Sequence, residues 1–216
     1  MKIGVLGTGT VGQAIATRLC ELQHEVCIGA READNERAAA WAAHHGPTGR
    51  AGTFADAAAF GSIVFVCTAG HGAVAAVTAA ADQLAGKVLI DLTNPLDQSG
   101  DGLKLFVGND DSLGESIQRA VPQARVVKTL NTVNNAVMVD PARVPGDHVM
   151  FISGNDAAAK ATASLLLEQF GWKPASVIDL GDLSGARAQE AYLLLWVRLM
   201  KPLGGVNFNV AIRQGD

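Results

Sequence analysis

The chain has 216 residues, 49% of them hydrophobic and 18% charged, a balance that supports a packed core and excludes a disordered chain. Its formal net charge of -4, with one Tyr, three Trp and seven Phe, offers neither a basic face nor an aromatic platform, so nucleic acid is not an expected partner. No stretch reaches the ~18–20 consecutive apolar residues of a membrane span, and the N-terminal run is too short for a signal peptide, so no membrane partner and a cytoplasmic location are expected.

The elements follow in order. An apolar run predicts a strand over Lys2–Leu6, and Gly7-Thr8-Gly9-Thr10-Val11-Gly12 leads from it into a helix over Val11–Leu22. A second strand is expected over His24–Ile28, then helices over Asn35–His44 and Phe54–Phe60. Ile63–Cys67 has almost no polar alternation, the mark of a parallel strand buried on both faces. Next come a helix over Gly72–Leu84 and a strand over Val88–Asp91. Asn94–Asp111, with Pro95, Gly100, Gly102 and Gly108, reads as a long loop of the kind that often walls a site. A helix over Leu113–Ala120, strands over Arg125–Leu130 and His148–Ser153, a helix over Ala157–Phe170 and a strand over Ser176–Asp179 complete the alternation. Helix Gly185–Met200 is apolar on nearly every side, which requires burial within the fold or against a second subunit and predicts a homodimer. Pro202 and Gly204-Gly205 should break the chain after it, with a final strand over Val206–Ile212.

This order gives the fold class: α/β, a Rossmann-type doubly wound, mainly parallel sheet with a small C-terminal lobe. The dinucleotide-binding domain is expected over residues 1–182 and a helical lobe closing the acceptor site over 183–216.

The glycine motif carries the chemistry. Gly7 permits the tight turn, Gly9 lets a pyrophosphate approach the backbone, and Gly12 lets the helix pack closely on the strand. The second strand ends Ile28-Gly29-Ala30-Arg31-Glu32, with small residues where an NAD site carries its carboxylate and Arg31 placed to grip a 2′-phosphate bidentately. Arg37 adds a second positive charge. NADP(H) is therefore expected over NAD; the competing reading makes Glu32 the ribose ligand and Arg31 a solvated residue. Further contacts should come from later strand ends. Thr68 and Ala69 are small enough to border a nicotinamide, Asn94-Pro95 ends another strand, and Asn94 and Asn131 can either bond a carboxamide or cap a loop. His71 is the candidate proton carrier, or a helix-entry residue. Lys128 is expected to be structural or phosphate-facing. Cys20, Cys27 and Cys67 have no paired spacing and are expected as buried apolar residues, and no His or Cys spacing predicts a metal site.

Through Lys2–Gly12, Val26–Arg31, Asp91–Pro95, Lys128–Asn135, Ser153–Asp156 and Gly171–Glu190 the chain resembles the NADP oxidoreductases dependent on coenzyme F420, a deazaflavin. It is similar also to the cytoplasmic reductase domain of six-transmembrane metalloreductases. The resemblance implies hydride exchange between NADP(H) and coenzyme F420 as a small-molecule redox co-substrate. It implies that Thr8 and Arg31 hold the 2′-phosphate, with Ala30 at a position where serine is common. It implies too that Thr68, Ala69 and His71 line the nicotinamide, and that Asn131 and Thr132 stand near the acceptor. The family pattern has a basic residue soon after the arginine; here Asn35 and Glu36 precede Arg37. Asn131–Ala136 is closer to the metalloreductase form, which keeps an NADPH-dependent flavin reductase using FAD or FMN, or a ferric reductase, as the enzymatic alternative. A non-catalytic NADP(H)-sensing module is the alternative outside enzymology. A ring acceptor spreads incoming charge over its own conjugation, which suits a chain with no recognisable Ser–Tyr–Lys set or His–Asp pair.

Overall fold

The computed structural model describes residues 1–99 and 102–215, so Gly100 of the expected loop lies outside the described residues, as do Asp101 and Asp216. In chain order the elements are β1 (Lys2–Leu6), α1 (Thr10–Glu21), β2 (Glu25–Ala30), α2 (Glu36–His45), β3 (Gly49–Thr53), α3 (Phe54–Phe60), β4 (Ile63–Val66), α4 (Gly70–Thr78), α5 (Ala81–Leu84), β5 (Val88–Asp91), β6 (Leu96–Asp97) and β7 (Lys104–Leu105). They continue with α6 (Leu113–Ala120), β8 (Arg125–Thr129), α7 (Asn135–Val139), β9 (Met150–Gly154), α8 (Ala157–Phe170), β10 (Val177–Asp179) and α9 (Ala186–Leu203).

One eight-stranded sheet has the order β10-β9-β8-β5-β4-β1-β2-β3. From β3 to β8 every pairing is parallel; β9 runs antiparallel to β8, and β10 parallel to β9. Alternate strand residues feed two cores, as the two-residue period of a strand demands. Ile3, Val5, Val26, Ile28, Ile63 and Phe65 pack with α1, α2, α7 and α8 on one face. Leu6, Cys27, Val64, Val66 and Leu89 pack with α3, α4, α6 and the start of α9 on the other. This is the doubly wound Rossmann arrangement. Strand order reverses between β1 and β4, which opens a crevice at the carboxyl ends of those two strands.

Local chemistry sets the helix starts. Asn35, Ser112, Asn134 and Asp156 each accept a first-turn N–H, and Thr53 with Asp56 forms a reciprocal capping box at α3.

Several expectations are corrected. Strand β2 begins at Glu25 and reaches Ala30, because its ladder with β1 and β3 carries it past Ile28. Strand β3 was not expected: Gly49-Arg50-Ala51-Gly52-Thr53 has low strand propensity, and pairing with β2 overrides it. The helix expected over Gly72–Leu84 starts at Gly70 and is interrupted between Thr78 and Ala81. The Asn94–Asp111 segment contains the β6–β7 hairpin, closed by an Asp97–Lys104 ion pair of 3.3 Å. Short helix α7 was also not expected. Strand β9 begins at Met150 rather than His148, whose ring is held by the Pro141 carbonyl and by Asn209. Helix α9 continues through Pro202 to Leu203, ending at Gly204 in the left-handed conformation. Proline is tolerated there because the carbonyl it leaves free lies in the exposed last turns.

Residues 206–212 form no strand. They instead return to the body, where Asn209 Nδ2 donates to the Val149 carbonyl at 2.7 Å and Val149 N–H donates to the Val210 carbonyl at 3.0 Å. Burial of α9 is partial: Ala186, Gln189, Glu190 and Leu193 are buried, but Leu194, Leu195 and Leu203 are 38%, 54% and 58% exposed. None of the described helices is long and apolar enough to cross a membrane.

Candidate active site

The turn after β1 is shaped by backbone collisions. Gly7 has φ +124°, and a Cβ there would stand 2.7 Å from the Cys67 carbonyl oxygen; a Cβ on Gly12 would strike the carbonyl oxygen of Gly7. At Gly9 a Cβ would meet nothing within 4 Å. Two glycines therefore bring the first turn of α1 against the strand ends, and the third faces open space. Helix α1 has Gly9 as its N-cap, with no side-chain cap and no acidic residue in its first turn, so its free N–H groups face that space uncompensated. Gln13 Nε2 donates to the Thr8 carbonyl at 3.0 Å and pins the turn. Thr8 is half-buried and Thr10 exposed, while Val11 packs against the core.

A cleft of about 490 Å³ is lined by Arg31, Thr53, Phe54, Thr68, Ala69 and the small-residue face of α4. Ala30 is buried at the end of β2, so the mouth of the cleft belongs to Arg31, which is exposed and makes no hydrogen bond or ion pair among the described residues. Glu32 and Arg37 are exposed, Arg37 in the first turn of α2.

Beside the cleft the ends of β4, β5 and β8 meet. Asn94 Nδ2 donates to the Asn131 carbonyl at 3.0 Å, and Asn131 Nδ2 donates back to Asn94 Oδ1 at 2.9 Å and to the Gln189 carbonyl at 3.2 Å. Asn131 Oδ1 and Thr68 Oγ1 are buried without a partner among the described residues, a deficit that a bound polar group would relieve. Pro95 and Thr132 are buried, Thr132 Oγ1 lying 4.0 Å from Met150 Sδ. His71 is exposed in the first turn of α4 and stacks on Phe106 from beyond the hairpin, with ring centroids 4.2 Å apart.

Lys128 is fully buried and so cannot face a phosphate. Its ammonium donates to Asp91 Oδ2 at 2.9 Å, Glu190 Oε1 at 2.7 Å and the Thr93 carbonyl at 2.6 Å. Burial alone would lower its pKa, but the Asp91 and Glu190 carboxylates outweigh that and hold the ammonium above its ordinary range. Burial pushes the Glu190 carboxyl up, against the pull of Lys128. Burial also raises the Cys67 thiol far above its ordinary value and Cys27 to about 11, so both are inert at neutral pH.

Sequence reasoning missed Asp91, Phe106, Gln189 and Glu190. A lysine set between Val127 and Thr129 in an interior strand of the sheet was a signal that buried carboxylates had to exist. Nothing local marked Phe106 or Gln189.

The sequence model of the family described as NADP oxidoreductase, coenzyme F420-dependent, matches residues 2–95. The F420-dependent NADP reductase of Methanocaldococcus jannaschii is 30% identical over 210 residues, 92% of each chain. This chain belongs to that family. A crystal structure of a candidate F420-dependent NADP reductase from Arthrobacter sp. FB24 superposes on this family member with a TM-score of 0.92 at 49% identity, covering 99% of this chain and 100% of that one. Rat metalloreductase STEAP3 is 29% identical over 190 residues, 88% of this chain, but the chain spans only 36% of that relative's length. The family member is an NADP-dependent oxidoreductase, and the glycine cradle, the unpaired Arg31 and the two orphaned oxygens fit a phosphorylated dinucleotide.

Proposed function

We propose that the chain exchanges a hydride between NADP(H) and the deazaflavin coenzyme F420. The observation that carries this reading is similarity to an F420-dependent NADP reductase over 92% of each chain, joined to a β2 end of small residues, Gly29-Ala30, followed at once by Arg31. When bound, the dinucleotide supplies the hydride at its nicotinamide ring. The α1 N-terminus and Gly9 receive the pyrophosphate; Thr8 and Arg31 hold the 2′-phosphate, with Arg37 adding charge. Thr68, Ala69, His71, Asn94 and Pro95 wall the nicotinamide, and Asn131 and Thr132 border the acceptor. A ring acceptor places little demand on acid–base groups, and orientation by these walls supplies most of the catalysis.

Similarity to STEAP3 supports a second reading, an NADPH-dependent flavin or ferric reductase. NADPH oxidation with F420, FAD, FMN and ferric chelate in parallel separates the two. Turnover with F420 alone is expected; turnover with flavin or ferric chelate alone, or with none of the four, would overturn the F420 assignment.

A further inference from the structure

Asp91 at the end of β5, Lys128 in β8 and Glu190 in α9 are buried together beneath the Thr93–Asn94 wall. Asp91 Oδ1 accepts the Thr93 N–H at 2.8 Å and its hydroxyl at 2.6 Å, in addition to the Lys128 contact on Oδ2. Glu190 accepts the N–H groups of Leu113 and Gly114 at 2.8 and 3.0 Å as well as the ammonium. Each carboxylate thus has three donors; at Glu190 the Lys128 ammonium and the Leu113 N–H work against the burial that raises its carboxyl. One ammonium between two carboxylates leaves one net negative charge. The neighbouring pair, Arg187 on Glu115 at 2.6 and 2.9 Å, sums to zero. A buried ion triad contributes little to stability beyond what apolar residues of the same volume would. The wall above it is tied directly to the cluster, since Lys128 holds the Thr93 carbonyl and the Asn94 side chain pairs with Asn131.

We propose that the Asp91–Lys128–Glu190 cluster biases the site toward the oxidised dinucleotide. The inference rests on the NADP(H) placement given above and concerns positioned charge rather than contact. The nicotinamide ring is neutral when reduced; loss of a hydride, two electrons with one proton, leaves it positive. A net negative charge in a low-dielectric floor stabilises that positive ring and has no charge to act on in the reduced form. Unit charges about 10 Å apart at an effective dielectric of about 20 alter an equilibrium roughly tenfold. The cluster therefore makes the bound reduced cofactor a better hydride donor.

The test is the ratio of dissociation constants for NADP⁺ and NADPH, titrated on the full chain as wild type, Glu190→Gln and Asp91→Asn. Neutralising either carboxylate should weaken NADP⁺ relative to NADPH by about tenfold. Asp91→Asn keeps an oxygen for Thr93 and serves if Glu190→Gln fails to fold, which thermal unfolding reports. A folded variant in which both affinities fall together, with the ratio unchanged within about twofold, would overturn the proposal, because loosening the wall moves both constants alike. A wild-type chain that binds neither form would overturn the cofactor reading itself, a result distinct from an unchanged ratio.

Discussion

At the scale of single residues, two positions separate recognition from architecture. Arg31 stands at the cleft mouth with no hydrogen bond or ion pair among the described residues, so its removal costs the fold little. Arg31→Ala should weaken NADPH about 10–100-fold while changing NADH by less than about twofold, as loss of a bidentate phosphate contact requires. Titration with both cofactors checks this, and equal losses would shift the ribose contact to Glu32. Gly12 is the opposite case. A Cβ there meets the Gly7 carbonyl, so Gly12→Ala should destabilise the fold by about 2–3 kcal/mol in urea unfolding, besides spoiling the phosphate turn. His71 lies between these extremes: its stacking on Phe106 gives it a structural task that proton transfer would share. The glycine motif and Arg31 were legible in the sequence because their roles depend on backbone and charge within one turn. Asn131 was legible only as a polar residue at a strand end. Its pairing with Asn94 joins positions 37 residues apart and appears only once β5 and β8 are neighbours.

Between elements, the dominant polar feature is the ion triad that joins β5, β8 and α9. Lys128→Met would leave two buried carboxylates sharing no cation, and should cost about 3–5 kcal/mol of unfolding free energy. The pH dependence has a definite sign. The folded pKa of Lys128 is raised above its ordinary 10.5, so its contribution is fully present below that value and is lost as pH rises through the folded one. Thermal unfolding followed upward from about pH 10 should show a steeper decline in wild type than in Lys128→Met once pH passes about 10.5, and no Lys128-linked slope below it. Long apolar strands and capped amphipathic helices could be read from the sequence to within a few residues, as β4, β5, α3, α6 and α8 illustrate. Strand β3 and the β6–β7 hairpin could not. Both are short and rich in polar or small residues, and their order comes from partner strands and from the Pro95–Phe106 backbone bond, which no local pattern encodes.

For the whole molecule, the distribution of exposed apolar surface argues for assembly. The first half of α9 is anchored by Gln189 and Glu190, whereas Leu194, Leu195 and Leu203 extend along its outer half into solvent. We propose that this outer half of α9 pairs two copies in a homodimer. Light scattering at micromolar concentration should return twice the chain mass, and Leu195→Glu should return the monomer mass; a wild-type monomer would refute the proposal. Three of the four buried residues of α9 are polar or small, so this helix is tied to the sheet by hydrogen bonds and charge more than by apolar area.

The tail beyond α9 is held differently again, by Asn209 on His148 and Val149 and by a single ladder-like bond from Val149 to Val210. Such a clasp can open without disturbing any strand pairing. In amide exchange the tail and the end of α9 should therefore form the fastest cooperative unit, exchanging by a local route while β1, β4 and β5 wait for global unfolding. The two ends of the chain would then record quite different histories of exposure: the dinucleotide turn protected within the most persistent part of the molecule, and the last residues opening and closing many times over the life of one folded copy.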